Sequence, residues 1–437
     1  MIKPTQETET SFVDWFRSAA PYIHAFRGKT FVIAFGGDAM LRPDFVDLIH
    51  DVNLLNALGV RLVLVHGVRP QVEERLTGEA QYVQGRRVTD AETLEHVKDA
   101  VGSVRVDIES LLSIGLPNTP MAGAEIRVAS GNFVTAKPLG VVEGVDLLFT
   151  GEVRKVAADA INARLAAGDI VLLSPLGYSP TGEVFNLTLE EVATAAAIQL
   201  KAEKLIFLLD HGDTVDAQGE RISQITVAEA AKVLKKLPDG DMKLYLPHAV
   251  EACRSGVRRA HLVSADVDGA LLMELFTHEG VGTLVTARPV ETLRPATIAD
   301  VGGVLQLIEP LEQAGVLVRR SRELLEQEIE QFFVDELDGR IVGCAALYPF
   351  AGERAGEMAC LAVHPDFRDS GRGEALLKAV EEAARAAKLK RLFVLTTRTA
   401  HWFIERGFSP ATPDDLPAAR KELYNWQRRS KVFMKGL

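Results

Sequence analysis

The sequence is short of four things. Its 437 residues include only three cysteines, Cys253, Cys344 and Cys360. So few thiols in so long a chain exclude a disulfide framework and point to a reducing, cytoplasmic setting. There is no excess of basic residues: 49 Lys+Arg stand against 60 Asp+Glu, a net charge of −11. A general nucleic-acid binder needs the opposite balance to meet phosphates, so no nucleic-acid partner is expected. No apolar run approaches the ~20 residues that cross a bilayer, and the N-terminal MIKPTQETETSFVDW has no apolar core of a signal peptide, so no membrane association is expected either. Nor does any His/Cys cluster have metal-ligand spacing, and no metal is expected.

What is present is ordinary globular composition, 47% hydrophobic and 25% charged, in a chain long enough for two or three domains. Ser11 to Phe26 spaces Phe12, Trp15, Phe16, Ala19, Ile23 and Phe26 near helical period, with Pro21 expected to break or kink the helix. This arm, residues 1–26, packs on its own domain or docks on another subunit. From residue 27 to 286, short β-rich runs (31–35, 61–65, 170–174, 204–209, 259–264, 283–286) alternate with helical patterns. Continuous apolar strands between helices predict a mainly parallel sheet covered on both faces, a three-layer αβα sandwich. The stretch 287–296, with Pro289 and Pro295, reads as a linker. Residues 297–437 then change order: helices near 298–312 and 321–330, a hairpin signal at Asp338-Gly339, the strand MACLAV, a glycine-containing loop, a helix near 373–387 and the strand RLFVLTT. That predicts a separate α+β domain. The acidic excess lies almost wholly before residue 295.

The loop between MACLAV and its helix reads Arg368-Asp369-Ser370-Gly371-Arg372-Gly373. An R-x-x-G-x-G turn from strand to helix aims backbone N–H groups and the positive end of the helix dipole at one point, which suits a phosphate. A short helical segment ending in Arg406-Gly407-Phe408 follows the next strand. In this order the two motifs resemble the GNAT acetyltransferase superfamily. The resemblance implies that the loop cradles the pyrophosphate of acetyl-CoA, and that backbone around Ala362 and Val363 meets the thioester. Glu357, at the head of CLAV, is the candidate base for a reacting amine; Thr396, ending RLFVLTT, is the candidate donor to the departing thiolate.

The first domain resembles the amino-acid kinase fold, most closely N-acetylglutamate kinase, through FGG (35–37), HG (66–67), GRRVTD (85–90), SGNF (130–133), FNLTLEE (185–191) and ACRSGVRRAHLVS (252–264). The cationic apparatus of phosphoryl transfer is missing. The resemblance puts Ala34 and Tyr245 where that family has lysines, Val68-Arg69-Pro70 where it has a glycine-rich stretch, and Thr188-Leu189-Glu190 where it has Asn-Ala-Asp. Arginine-sensitive members have a mobile N-terminal helix and a late E-x-F-x-x-x-G signature, matched here by Glu274 to Gly280. This implies an L-arginine site using Tyr22, His261, Glu274 and Gly280.

End to end, the chain resembles the bacterial N-acetylglutamate synthase family. The resemblance implies acetyl transfer from acetyl-CoA to L-glutamate, the first step of arginine biosynthesis, with feedback inhibition by L-arginine and assembly as a homo-hexamer. It places L-glutamate on Val318, Arg320, Cys360, Arg428 and Ser430. Some relatives have serine where this chain has Thr396. An active kinase with an appended acetyltransferase, a GNAT enzyme acting on another amine, and a non-enzymatic arginine sensor are the alternatives.

Overall fold

A computed structural model describes residues 6–76, 80–210, 219, 221–277, 280–287, 291–337, 340–368, 371–424 and 430–437. Arg428, Asp369, Ser370 and the Asp338-Gly339 hairpin tip lie outside the described residues. The chain divides into two units, Met1–Arg288 and Pro289–Leu437.

The first unit is built on an eight-stranded sheet. In spatial order its strands are Gln224–Thr226, Thr283–Thr286, Arg259–Ser264, Lys204–Leu209, Thr30–Phe35, Arg61–His66, Ile170–Leu173 and Val128–Ala129. All neighbours are parallel except Arg259–Ser264 against Thr283–Thr286. Side chains alternate across the sheet, so each apolar strand feeds two cores. Val32, Ala34, Val63, Val65 and Phe207 pack on one face with helices Leu189–Gln199 and Asp241–Arg254. Phe31, Ile33, Phe35, Leu62 and Leu64 pack on the other with Phe45–Ala57, Ala91–Leu112 and Ala270–Phe276. A four-stranded side sheet (Val134–Pro138, Gly151–Val156, Leu176–Tyr178 and Val184–Asn186) went unread, because its strands are short and weakly patterned.

The N-terminal helix differs from the expectation. Gln6–Phe26 runs through Pro21 without a break. Its last turns are held by their own unit: Ala19 and Phe26 are buried, and the Phe26 ring meets Phe31 at 5.2 Å and Phe276 at 5.7 Å. That packing outweighs the hydrogen bond the proline ring removes. Trp15 and Phe16, one turn earlier, are 43% and 53% exposed.

The second unit is a seven-stranded sheet in the order Glu291–Pro295, Phe332–Leu337, Arg340–Phe350, Ala355–Val363, Arg391–Thr396, Lys431–Gly436, Ser409–Ala411. Residues 291–295, read as linker, are thus its edge strand, antiparallel to Phe332–Leu337. Pro295 is tolerated at the end of an edge strand, where a missing N–H donor breaks no inner ladder. The feature that shapes the site is in the middle of the sheet. Ala355–Val363 pairs in parallel with Arg391–Thr396 only over Ala355 to Met358, matched to Arg391 to Val394. Its ladder to Arg340–Phe350 shifts register between Cys344 and Ala346, and Cys360 sits at φ +54°. Leu395 and Thr396 pair only on their other side, with Val432 and Lys431. The two central strands therefore part after Met358 and open a notch in the sheet.

Candidate active site

Glu357 stands at the closed end of that notch, opposite Phe393 and Tyr348 in the two neighbouring strands. It is 7% exposed. A buried carboxylate needs a partner, and Glu357 has one that the sequence did not announce. Arg420, from the short helix Ala418–Glu422, donates Nε to Oε2 at 2.5 Å and Nη2 to Oε1 at 3.0 Å.

Thr396 is at the open end. Its hydroxyl lies 2.8 Å from Thr399 Oγ1 and accepts from the N–H of Thr399 at 3.1 Å. Ser430 precedes Lys431, the residue paired with Thr396, and its carbonyl accepts the Tyr424 hydroxyl at 2.6 Å. On the other wall, Cys360 faces Arg320. Although burial works against its charge, Arg320 is held above its ordinary value by Cys360, Tyr348 and Glu328 around it. The Arg320 N–H is anchored on Glu312 at 2.9 Å, and its Nη1 donates to the Val318 carbonyl at 3.1 Å. Val318 itself is exposed. The Tyr348 hydroxyl, a further wall residue, donates to Glu328 at 2.6 Å. The structure thus gathers Glu357, Cys360, Arg320, Thr396 and Ser430 around one notch.

The candidate phosphate cradle is the start of the 15-residue helix Arg372–Ala386. Gly371 caps it at φ +78°, a conformation that glycine adopts without penalty. Of the first-turn N–H groups, that of Glu374 donates to the Gly371 carbonyl at 3.1 Å, and those of Arg372 and Gly373 point out of the helix end. Arg368 is exposed beside them. Arg372 departs from the simplest reading of the motif. Its side chain is 7% exposed, donates Nη1 to Asp335 Oδ2 at 2.8 Å and lies over the Phe367 ring. Only its backbone faces the cradle, because the buried Asp335 on the adjoining strand claims the guanidinium. A Cβ on Gly373 would come within 3.2 Å of Trp402, so the two sequence motifs meet in space. Phe403 and Phe408 hold that second segment, 5.3 Å apart and edge-on.

In the first unit, the residues read as an arginine site form a buried chain. Lys204 Nζ donates to His261 Nε2 at 2.9 Å, and His261 Nδ1 donates to Glu274 Oε1 at 2.6 Å. Glu274 Oε2 accepts the N–H groups of Val281 and Gly282, each at 2.8 Å. Gly280 is glycine by necessity: at φ +57°, a Cβ would stand 2.4 Å from that oxygen. Lys204 lies 5.1 Å above the Phe26 ring, and Tyr22 is 6.1 Å from the same ring, centroid to centroid. Lys204 was missed because it reads as the polar first residue of an apolar strand.

Burial, helped by Lys204, pushes His261 down to about 4, and burial pushes His66 down to about 4. Both imidazoles are neutral in the folded state, while the unfolded chain protonates them near the usual 6.5. The folded chain refuses protons the unfolded chain takes, so stability is full above about 6.5 and is lost as pH falls toward 4. We expect each to remove on the order of 2 kcal/mol between pH 8 and pH 5. Urea unfolding of the wild type and of His66→Gln across that range checks this. A variant with the wild-type slope would remove His66 from the account.

The amino-acid-kinase-like cavity, about 350 Å³, is lined by Gly37, Gly67, Arg69, Glu190, Asp210, Asp241 and Tyr245 among others. Tyr245 is stacked on Phe207 at 4.9 Å, and burial together with Glu190, Asp241 and Asp210 raises its hydroxyl far above the ordinary value. Tyr245 brings a neutral phenol where the resemblance puts a lysine, and the carboxylates Glu190, Asp210 and Asp241 share the lining with Arg69, Arg86 and Arg87.

Two family models match the chain: the amino acid kinase family over residues 29–264 and the acetyltransferase (GNAT) family over 304–408. The fold and the notch define an acyltransferase of the GNAT type, using acetyl-CoA, joined to an amino-acid-kinase-like unit. The chain is 56% identical over its whole length to an amino-acid acetyltransferase of Ralstonia nicotianae, covering 97% of that protein. It is 55% identical to one from Azotobacter vinelandii, over 98% of this chain and 99% of that protein. The N-acetylglutamate synthase of Neisseria gonorrhoeae, solved with coenzyme A and L-arginine, superposes with a TM-score of 0.87 at 37% identity, covering 98% of this chain and 99% of that one. The same enzyme solved with coenzyme A and N-acetyl-glutamate gives a TM-score of 0.63. The chain belongs to the amino-acid acetyltransferase family.

Proposed function

We propose that this enzyme transfers acetyl from acetyl-CoA to the α-amine of L-glutamate, the first step of arginine biosynthesis. The observation that carries this is the buried Glu357 at the closed end of the notch, with Arg320 on one wall and the phosphate cradle at the helix start. The pyrophosphate lies on Arg368 and the N–H groups from Asp369 to Gly373. The L-glutamate carboxylates go to Arg320, Arg428 and Ser430, with backbone help from Val318 and Cys360. Glu357, directly or through a water, takes a proton from the substrate ammonium. The freed amine attacks the thioester carbonyl, and the oxyanion is met by backbone N–H at Val363. The C–N bond forms, the C–S bond breaks, the thiolate takes a proton from Thr396 or water, and the second proton lost from the nitrogen restores that donor.

The same proposal gives the first unit a regulatory role, with L-arginine inhibiting at Tyr22, His261, Glu274 and Gly280. The acidic surplus of this unit supports a cationic ligand there. Ala34 and the neutral phenol of Tyr245, where the resemblance puts lysines, speak against phosphoryl transfer. The proposal extends to a cytoplasmic homo-hexamer, for which the exposed Trp15 and Phe16 supply apolar surface; among the described residues no helix is long and apolar enough to cross a membrane.

The test is thiol release from acetyl-CoA with and without L-glutamate, then with added L-arginine. Glutamate-dependent thiol that L-arginine suppresses is expected. Absence of glutamate dependence defeats the substrate assignment; turnover that L-arginine leaves unchanged defeats only the feedback site.

A further inference from the structure

We propose that Arg420 is a substrate-operated latch on the base Glu357, released by the carboxylate of a dicarboxylate substrate and left closed by a neutral one. This rests on Glu357 being the base. The geometry is bidentate: Arg420 Nε and Nη2 each occupy one Glu357 oxygen, at 2.5 and 3.0 Å, and Nη1 donates to the Leu423 carbonyl at 3.3 Å. A fork-to-fork guanidinium pair is the tightest clamp a carboxylate finds among side chains.

Such a clamp opposes proton transfer in two ways. Both carboxylate oxygens already hold a strong donor, so an amine proton must compete with Arg420 for the same two oxygens. The fixed positive charge also repels the incoming ammonium. Arg420 must leave Glu357 for the base to work.

An acidic substrate brings the means to move it. A substrate carboxylate offers Arg420 the same kind of partner it gives up, so the exchange is nearly even. A substrate with a neutral side chain offers nothing equivalent, and the base stays clamped. Discrimination then falls in turnover as well as in binding. Arg420 is also mounted where it can swing. None of the five residues of its helix, Ala418–Glu422, is buried, and the Arg420 side chain is 22% exposed against 9% for the Glu357 side chain. The helix is tied down at its ends by Ala418 N–H on Glu353 and by Lys421 on Asp414. The side chain therefore moves by rotamer change without unfolding its support. Arg420 is a positioning residue by this account.

The experiment compares Arg420→Met and Arg420→Lys with the full-length wild type, using L-glutamate and L-glutamine. In Arg420→Met, the glutamate KM is expected to rise about tenfold or more, and kcat with L-glutamine to rise by about tenfold because the base is unclamped. Arg420→Lys, keeping the charge on a single donor, is expected to lie between. An arginine that only binds the side-chain carboxylate raises the glutamate KM and leaves glutamine kcat where it was; that result overturns the latch. The acetyl-CoA KM, unchanged in both variants, reports an intact fold. Glu357→Gln separates the two claims. If it retains wild-type kcat, the base assignment fails and the latch with it. If it is inactive while Arg420→Met leaves glutamine kcat unmoved, the latch alone fails.

Discussion

Glu357→Gln is expected to lower kcat with L-glutamate by about two to three orders of magnitude, within the range a positioned general base supplies. In free energy that is roughly 3 to 4 kcal/mol of lost transition-state stabilisation. The substitution conserves volume at a position only 7% exposed, so the strand and the parted ladder beyond Met358 have no packing reason to move. The phosphate cradle belongs to a different helix, Arg372–Ala386, and the acetyl-CoA KM is expected to stay within about twofold if binding energy is untouched. Steady-state thiol release over both substrates measures the two numbers together. A raised KM with kcat intact would move Glu357 from proton transfer to binding. The amide also leaves the Arg420 guanidinium facing a neutral group, so a modest loss of stability accompanies the loss of rate.

How much of this was legible beforehand follows from the range over which each signal acts. The central sheet of the first unit was readable because its strands, such as Val32–Phe35 and Leu62–Val65, are uninterrupted apolar runs bounded by helical patterns. The cradle was readable because Gly371 and Gly373 answer local demands: a positive φ, and contact with Trp402. Glu357 and Thr396 were found through the resemblance rather than from periodicity, since a lone polar residue in a strand has no pattern. Arg420 and Asp335 were missed for one reason. Each acts through a partner far along the chain, 63 residues away for Arg420 and 37 for Asp335, and no local spacing encodes such a pairing. Arg372 shows the same limit from the other side. It sits at the start of the helix as the motif implies, yet its side chain points into the core, because the motif specifies backbone and leaves the guanidinium to tertiary contacts. Pro21 was given too much weight: a local breaker lost to the burial of Ala19 and Phe26.

The Asp335–Arg372 pair carries the second large prediction. Both side chains are more than nine-tenths buried, and Arg372 opens the helix that forms the cradle. Asp335→Ala removes the acceptor of a buried guanidinium and is expected to cost about 3 to 5 kcal/mol, the usual penalty for breaking one side of a buried ion pair. Urea unfolding of the second unit measures it; a loss below about 1 kcal/mol would mean that water or another acceptor rescues Arg372. The double variant Asp335→Leu, Arg372→Met separates stability from positioning. Replacing both charges with apolar groups of similar size removes the desolvation cost along with the attraction, so most of the lost stability is expected to return. The cradle has then lost the tether that fixes its first residue to the neighbouring strand. The acetyl-CoA KM is expected to rise about tenfold while kcat changes little, since the tether touches binding and leaves Glu357 and Arg420 in place. If the double variant recovers both stability and the wild-type acetyl-CoA KM, the glycines and the helix start hold the loop on their own, and the buried pair serves the core alone.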